Sequence, residues 1–220
     1  ALFADRSRTT AMIDFQERDR TRGYDDGGGT DDSGREPDGE DHHSHDEDGH
    51  HDHAEDDHHA HDVETVGVAV VTITSTRTIE DDPAGDAIVA ALEEAREEVV
   101  TREIIRDEYD HVQGTVDAVV GRKDVDAVVT TGGTGVTPDD VTIEAVEPLF
   151  EKELPGFGEL FRRLSFEEIG TKVVGTRATA GIADGVPVFC LPGSENAARL
   201  GAEEIIAEEA GHLAGLATRE

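Results

Sequence analysis

A largely apolar run at 125–129 leads through Thr130-Thr131 into Gly132-Gly133-Thr134-Gly135, followed by Val136-Thr137-Pro138-Asp139-Asp140. Such a run reads as a strand buried on both faces. Beyond it, Val141, Ala145, Val146, Leu149 and Phe150 share one face at helical spacing. A glycine-rich turn between a buried strand and a helix belongs to α/β architecture. There backbone N–H groups can approach an anion, and the helix N-terminus adds partial positive charge. The turn is not a P-loop, because Val136-Thr137 stands where Lys-Ser/Thr is required, and Pro138 occupies the last small position of a dinucleotide fingerprint. By spacing alone it is a phosphate cradle or a tight turn.

The same strand-to-helix alternation runs through the chain from residue 63. Strands are expected at 66–74, 99–105, 125–131 and 186–191. A helix begins at Pro83 behind the cap Asp82, with Ile88, Leu92 and Ala95 on one face. Others cover 108–120, the segment after the glycine turn, the stretch from Pro155 with Phe157, Leu160, Phe161 and Leu164 on one stripe, and 195–214. Residues 170–182 are less regular and lead to the turn Asp184-Gly185. Repeated β–α units imply a mostly parallel sheet with helices on both faces. In such sheets ligands bind outside the carboxyl ends of the strands, where 74–76, 106–108, 131–140 and 191–194 all fall.

Residues 1–62 contrast with this pattern. They hold 20 acidic residues and 6 arginines with almost no apolar periodicity, and are expected to be a disordered acidic tail. Nine of the eleven histidines, among them His42, His43, His45, His50, His51 and His53, lie within twenty residues of this tail. Imidazole interleaved with carboxylate can bind transition metals weakly, or the segment is simply a solvated tail. Over the whole chain 52 acidic residues face 19 basic ones, of which three are lysine, giving a net charge of −33. That balance suits a high-salt cytoplasm and a halophilic source, and argues against nucleic acid or an anionic membrane as partner. Cys190 is the only cysteine and reads as a buried strand residue. Met12 is the only methionine, so one hypothesis places the translation start there.

Several residues near the strand ends have local explanations. Thr137 to Asp140 reads as a capping box, Asp107 as a cap for the helix at 108, and Glu159 as an i, i+4 partner of Arg163. At one sheet edge beside a phosphate loop, however, Asp107 and Asp140 are what Mg²⁺-dependent phosphoryl chemistry requires. Arg177 is a candidate phosphate clamp, and Gly193-Ser194 a second helix N-terminus.

Thr131 to Gly135, Asp140 with Glu144-Ala145, residues 155–162 (Pro-Gly-Phe-Gly-Glu-Leu-Phe-Arg), Thr176-Arg177-Ala178 and Leu191-Pro192-Gly193-Ser194 form an ordered series. It resembles the molybdenum-cofactor biosynthesis B family, whose active members are molybdopterin adenylyltransferases, over roughly residues 63–215. The resemblance implies a three-layer αβα domain assembled as homotrimers or homohexamers. It implies Mg²⁺ as cofactor, ATP as co-substrate and molybdopterin as substrate, with pyrophosphate released and the product passed to a molybdate-inserting enzyme. The family's catalytic aspartates fall on Asp107 and Asp140. Its substrate loops fall on Thr74, Ser75, Gly132, Gly133, Thr134, Gly135, Glu159, Pro192, Gly193 and Ser194. Asp139 stands where the family commonly has a basic residue, and Ile143 where it has proline. Two other functions compete: an inactive molybdopterin carrier or scaffold, and a metal-handling protein that uses its histidine-rich tail.

Overall fold

The computed structural model describes residues 65–218. The expectations for the acidic tail and its histidines therefore lie outside the described residues. Six strands form one sheet: β1 (Gly67–Ile73), β2 (Glu98–Ile105), β3 (Ala127–Thr131), β4 (Lys152–Glu153), β5 (Thr179–Ala183) and β6 (Val186–Leu191), in the order β2-β1-β3-β6-β5-β4. The first four in that order run parallel, β5 runs antiparallel to β6, and β4, antiparallel to β5, points the same way as the parallel four. The helices are α1 (Pro83–Glu94), α2 (Tyr109–Val120), α3 (Thr142–Val146), α4 (Pro155–Ile169), α5 (Glu195–Gly201) and α6 (Ala207–Ala217).

Period-two alternation along β1 builds the three layers. Val66, Val68 and Val70 pack with Ile88 and Leu92 of α1, Phe161 of α4 and Ala198 of α5. Ala69, Val71 and Ile73 face the other way, toward Val112 and Val116 of α2 and Ile143 and Val146 of α3. The expected three-layer αβα fold with a mostly parallel sheet is the fold observed. Cys190 on β6 is fully buried, and burial pushes its thiol up to about 12, so it acts as a small core residue.

Three expectations need correction. The helix after the glycine turn starts only at Thr142 and gives way to a 3₁₀ turn at Glu147–Leu149, where Pro148 cannot continue the α pattern. The last helix is interrupted by a π segment, Ala202–Ile206, which brings the adjacent Ile205 and Ile206 both into the core. The stretch 170–182 holds all but the last residue of β5, which pairs with β6 through a two-residue hairpin. Asp184 (φ 49°) and Gly185 (φ 75°) both have positive φ, as a type I′ turn requires.

Candidate functional site

The carboxyl ends of β1, β2, β3 and β6 converge on one cleft of about 400 Å³. Its lining includes Thr74, Ser75, Asp107, Gly132, Gly133, Thr134, Gly135, Asp140, Pro192 and Gly193. The sequence placed these residues at one edge from alternation alone, and the topology brings them together.

The glycine loop is wedged so closely that side chains are excluded. Gly132 has φ 101°, and a Cβ there would stand 2.1 Å from the Ile73 carbonyl oxygen. At Gly133 (φ 62°) it would stand 2.1 Å from Thr142 Oγ1 and 2.8 Å from an Asp107 carboxylate oxygen. Thr142 ties the loop to α3: its hydroxyl donates to Gly132 O (2.9 Å) and its amide to Gly133 O (3.0 Å). The Gly132 amide donates to Leu191 O (3.0 Å), and the Gly135 amide donates to Asp140. The amides of Gly133 and Thr134 have no protein partner among the described residues. Thr134 is buried as a residue and lines the cleft.

The two aspartates sit in opposite environments. Asp140 accepts from the Thr137 amide (2.9 Å) and hydroxyl (2.6 Å). Burial would raise its pKa, but those hydrogen bonds, the Gly135 amide and the Arg177 charge together hold it below the usual carboxylate range. Asp107 is pushed above that range by burial and by repulsion from Asp140 and Asp139, only partly offset by the Val141 amide at 3.4 Å. The local explanations change accordingly. Asp140 does reach back to Thr137, but within a turn ahead of α3 rather than as a helix cap. Asp107 caps nothing: Glu108 is the N-cap of α2, and the Asp107 carboxylate turns toward the glycine-loop segment.

Three expected site residues lie outside this cleft. The Arg177 Nε donates to Gly135 O (2.7 Å) and Thr134 O (3.3 Å), and Nη2 to Asp140 O (3.3 Å), while the guanidinium pairs with Glu144. It is a staple under the loop instead of a free clamp for phosphate. Glu159 is exposed on α4 and lines a neighbouring groove with Arg177 and Glu144. Ser194 is exposed at the start of α5, makes no capping hydrogen bond, and faces a third groove with Ser165 and Ile169.

Among the lining residues that the sequence reading did not single out, Arg77 carries a charge. Arg77, in the loop after β1, reaches over the cleft and donates from Nη1 to Gly193 O (3.1 Å). It is the only basic residue in the loop from Ser75 to Asp82, a signal available in the sequence. Beneath it, the Thr72 hydroxyl donates to the buried Asp82 carboxylate (2.7 Å), which also caps α1 through the Gly85 amide.

Residues 65–212 match the family described as a probable molybdopterin binding domain. The molybdenum cofactor biosynthesis protein B of Bacillus subtilis is 44% identical over 151 residues, 68% of this chain and 89% of that one. A crystal structure of a molybdenum cofactor biosynthesis protein B is similar with a TM-score of 0.69 and 43% identity, covering 71% of this chain and 98% of that one. The tungsten cofactor synthesizing protein MoaB from Pyrococcus furiosus is similar with a TM-score of 0.62 and 40% identity, covering 71% and 99%.

Proposed function

The chain belongs to the probable molybdopterin binding domain family, and from that premise we propose that it adenylates molybdopterin in biosynthesis of the molybdenum or tungsten cofactor. The observation that carries this is the cleft itself. Two carboxylates from different loops meet a glycine loop whose Gly133 and Thr134 amides have no protein acceptor among the described residues. An uncompensated acidic cleft repels phosphate. A hard divalent cation reverses that, and Mg²⁺ needs only one or two protein carboxylates because substrate phosphates complete its shell. Asp107 and Asp140 would hold Mg²⁺, which would neutralise charge on the ATP phosphates.

The terminal phosphate of molybdopterin is already ionised near neutral pH, since a phosphate monoester loses its second proton at about pH 6. One of its oxygens attacks the α-phosphorus of ATP. A new P–O bond forms, the bond from the α-phosphorus to the β-bridging oxygen breaks, and pyrophosphate leaves with that electron pair. No side chain has to remove a proton, so the protein's work is positioning and charge stabilisation. The Gly133 and Thr134 amides donate to phosphate oxygen, and Arg177 fixes the peptide planes that aim them.

The test is pyrophosphate release with molybdopterin and Mg²⁺-ATP. Asp140→Asn should lower kcat by roughly 100-fold or more, the scale of losing one preorganised charge-stabilising group, while the far-UV spectrum stays native. Full turnover by that variant would sink the assignment, and molybdopterin binding without any turnover by the wild type would favour a carrier. The same proposal includes a cytoplasmic setting, a halophilic source, a homotrimer or homohexamer, and transfer of product to a molybdate-inserting partner.

A further inference from the structure

We infer that Arg77 is a phosphate-binding residue of this cleft, parked across its mouth on the Gly193 carbonyl until substrate arrives. This rests on the reading of the cleft as an adenylation site. Arg77 is the only cationic side chain lining the cleft among the described residues. The other arginine at the loop, Arg177, is committed to three backbone carbonyls and to Glu144. Arg77 has a single hydrogen bond, to Gly193 O, and no ion pair among the described residues. In a chain with 52 acidic residues against 19 basic ones, an arginine without a carboxylate is a charge kept available.

The position fits the role. Arg77 follows β1 and Gly193 follows β6, so the contact spans the loop after β3 that lies between them. Gly193 packs on Gly132, where a Cβ would come within 3.1 Å of the Gly132 Cα. The guanidinium thus stands at the Gly132 end of the cradle, while Asp107 and Asp140 stand at Gly133 and Gly135. One end suits a metal-bound phosphate and the other a phosphate met directly by a cation. Most of the five guanidinium N–H donors are not used by the carbonyl, and exchanging a neutral acceptor for a charged, bidentate one is favourable. Arg77 is only half-buried, so little desolvation opposes the exchange.

The phosphate belongs either to ATP or to molybdopterin, and kinetics separates them. Steady-state adenylation is measured for wild type, Arg77→Met and Arg77→Lys with each substrate varied in turn, alongside calorimetric binding of each substrate and thermal unfolding. Arg77→Met should raise KM and weaken binding of one substrate roughly 10- to 100-fold, as expected for losing a hydrogen-bonded charge. Arg77→Lys should recover part of the loss, and the unfolding midpoint should not move. The substrate affected identifies whose phosphate is bound. Unchanged KM for both substrates, or a lysine variant no better than methionine, would overturn the inference. So would a lowered midpoint with intact KM, which marks the contact as a structural latch. If the wild type binds substrate without adenylating it and Arg77→Met weakens that binding, the adenylation reading falls and the arginine assignment stands.

Discussion

Asp107 and Asp140 are one amino acid in two electrostatic situations, and the difference has a measurable sign. Donors around Asp140 depress its pKa, whereas Asp107, with one long hydrogen bond, is raised by burial and by its acidic neighbours. If both must be ionised to hold Mg²⁺, activity disappears on acidification as pH falls through the raised pKa of Asp107, well before Asp140 protonates. Asp139 is exposed and contributes to that raised value by like-charge repulsion. Asp139→Asn should therefore move the acid limb of the pH profile of kcat/KM to lower pH and leave the neutral plateau in place. A limb that does not move would detach Asp107 from the acid limb. In the sequence both aspartates had adequate local explanations as helix caps, because a cap is defined by a few neighbouring residues. The contact from Asp107 to the Val141 amide spans 34 positions, and no local pattern encodes it.

At the scale of elements, the glycine loop is held from outside itself. Arg177 gathers the carbonyls of Thr134, Gly135 and Asp140, and Glu144 on α3 holds the guanidinium from its other side. Removing the arginine leaves carbonyls unpaired, whereas removing the Glu144 charge costs only a half-exposed ion pair, worth about 0–1 kcal/mol. Arg177→Ala should accordingly weaken binding of both substrates and lower the unfolding midpoint, and Glu144→Gln should do either only slightly. Equal effects would make the ion pair, rather than the carbonyl contacts, the part that matters. The parallel strands were legible as Val-rich runs, since burial on both faces demands an apolar composition. β5 was not, because Thr179-Ala180-Gly181 carries little β signal. Gly181 is small because the Phe150 ring packs over it, where a Cβ would come within 2.3 Å. The Asp184-Gly185 hairpin was the available clue, and it implied a strand on each side.

Across the whole molecule, charge and tail can be tested together. Residues 63–220 carry 32 acidic and 13 basic residues, so the domain is strongly acidic without its first 62. Self-repulsion of this size is relieved by salt. The full chain and a chain lacking residues 1–62 should adenylate equally well, and the unfolding midpoint of both should rise from low to molar KCl. Loss of activity on truncation would favour metal handling by the histidine-rich tail, and a flat midpoint would count against a high-salt origin. Among the described residues no helix is long and apolar enough to cross a membrane.

The reversal of direction at β5 has a practical corollary. Because β5 runs against β6, its first residues lie at the edge where the parallel strands end, which is how Arg177 arrives beneath the loop after β3. The Asp184-Gly185 turn, five strand residues further on, lies at the opposite rim, roughly 17 Å away at about 3.4 Å per residue. That rim is a docking port for engineering: a fluorophore or peptide graft placed there would report on the sheet without entering the cleft.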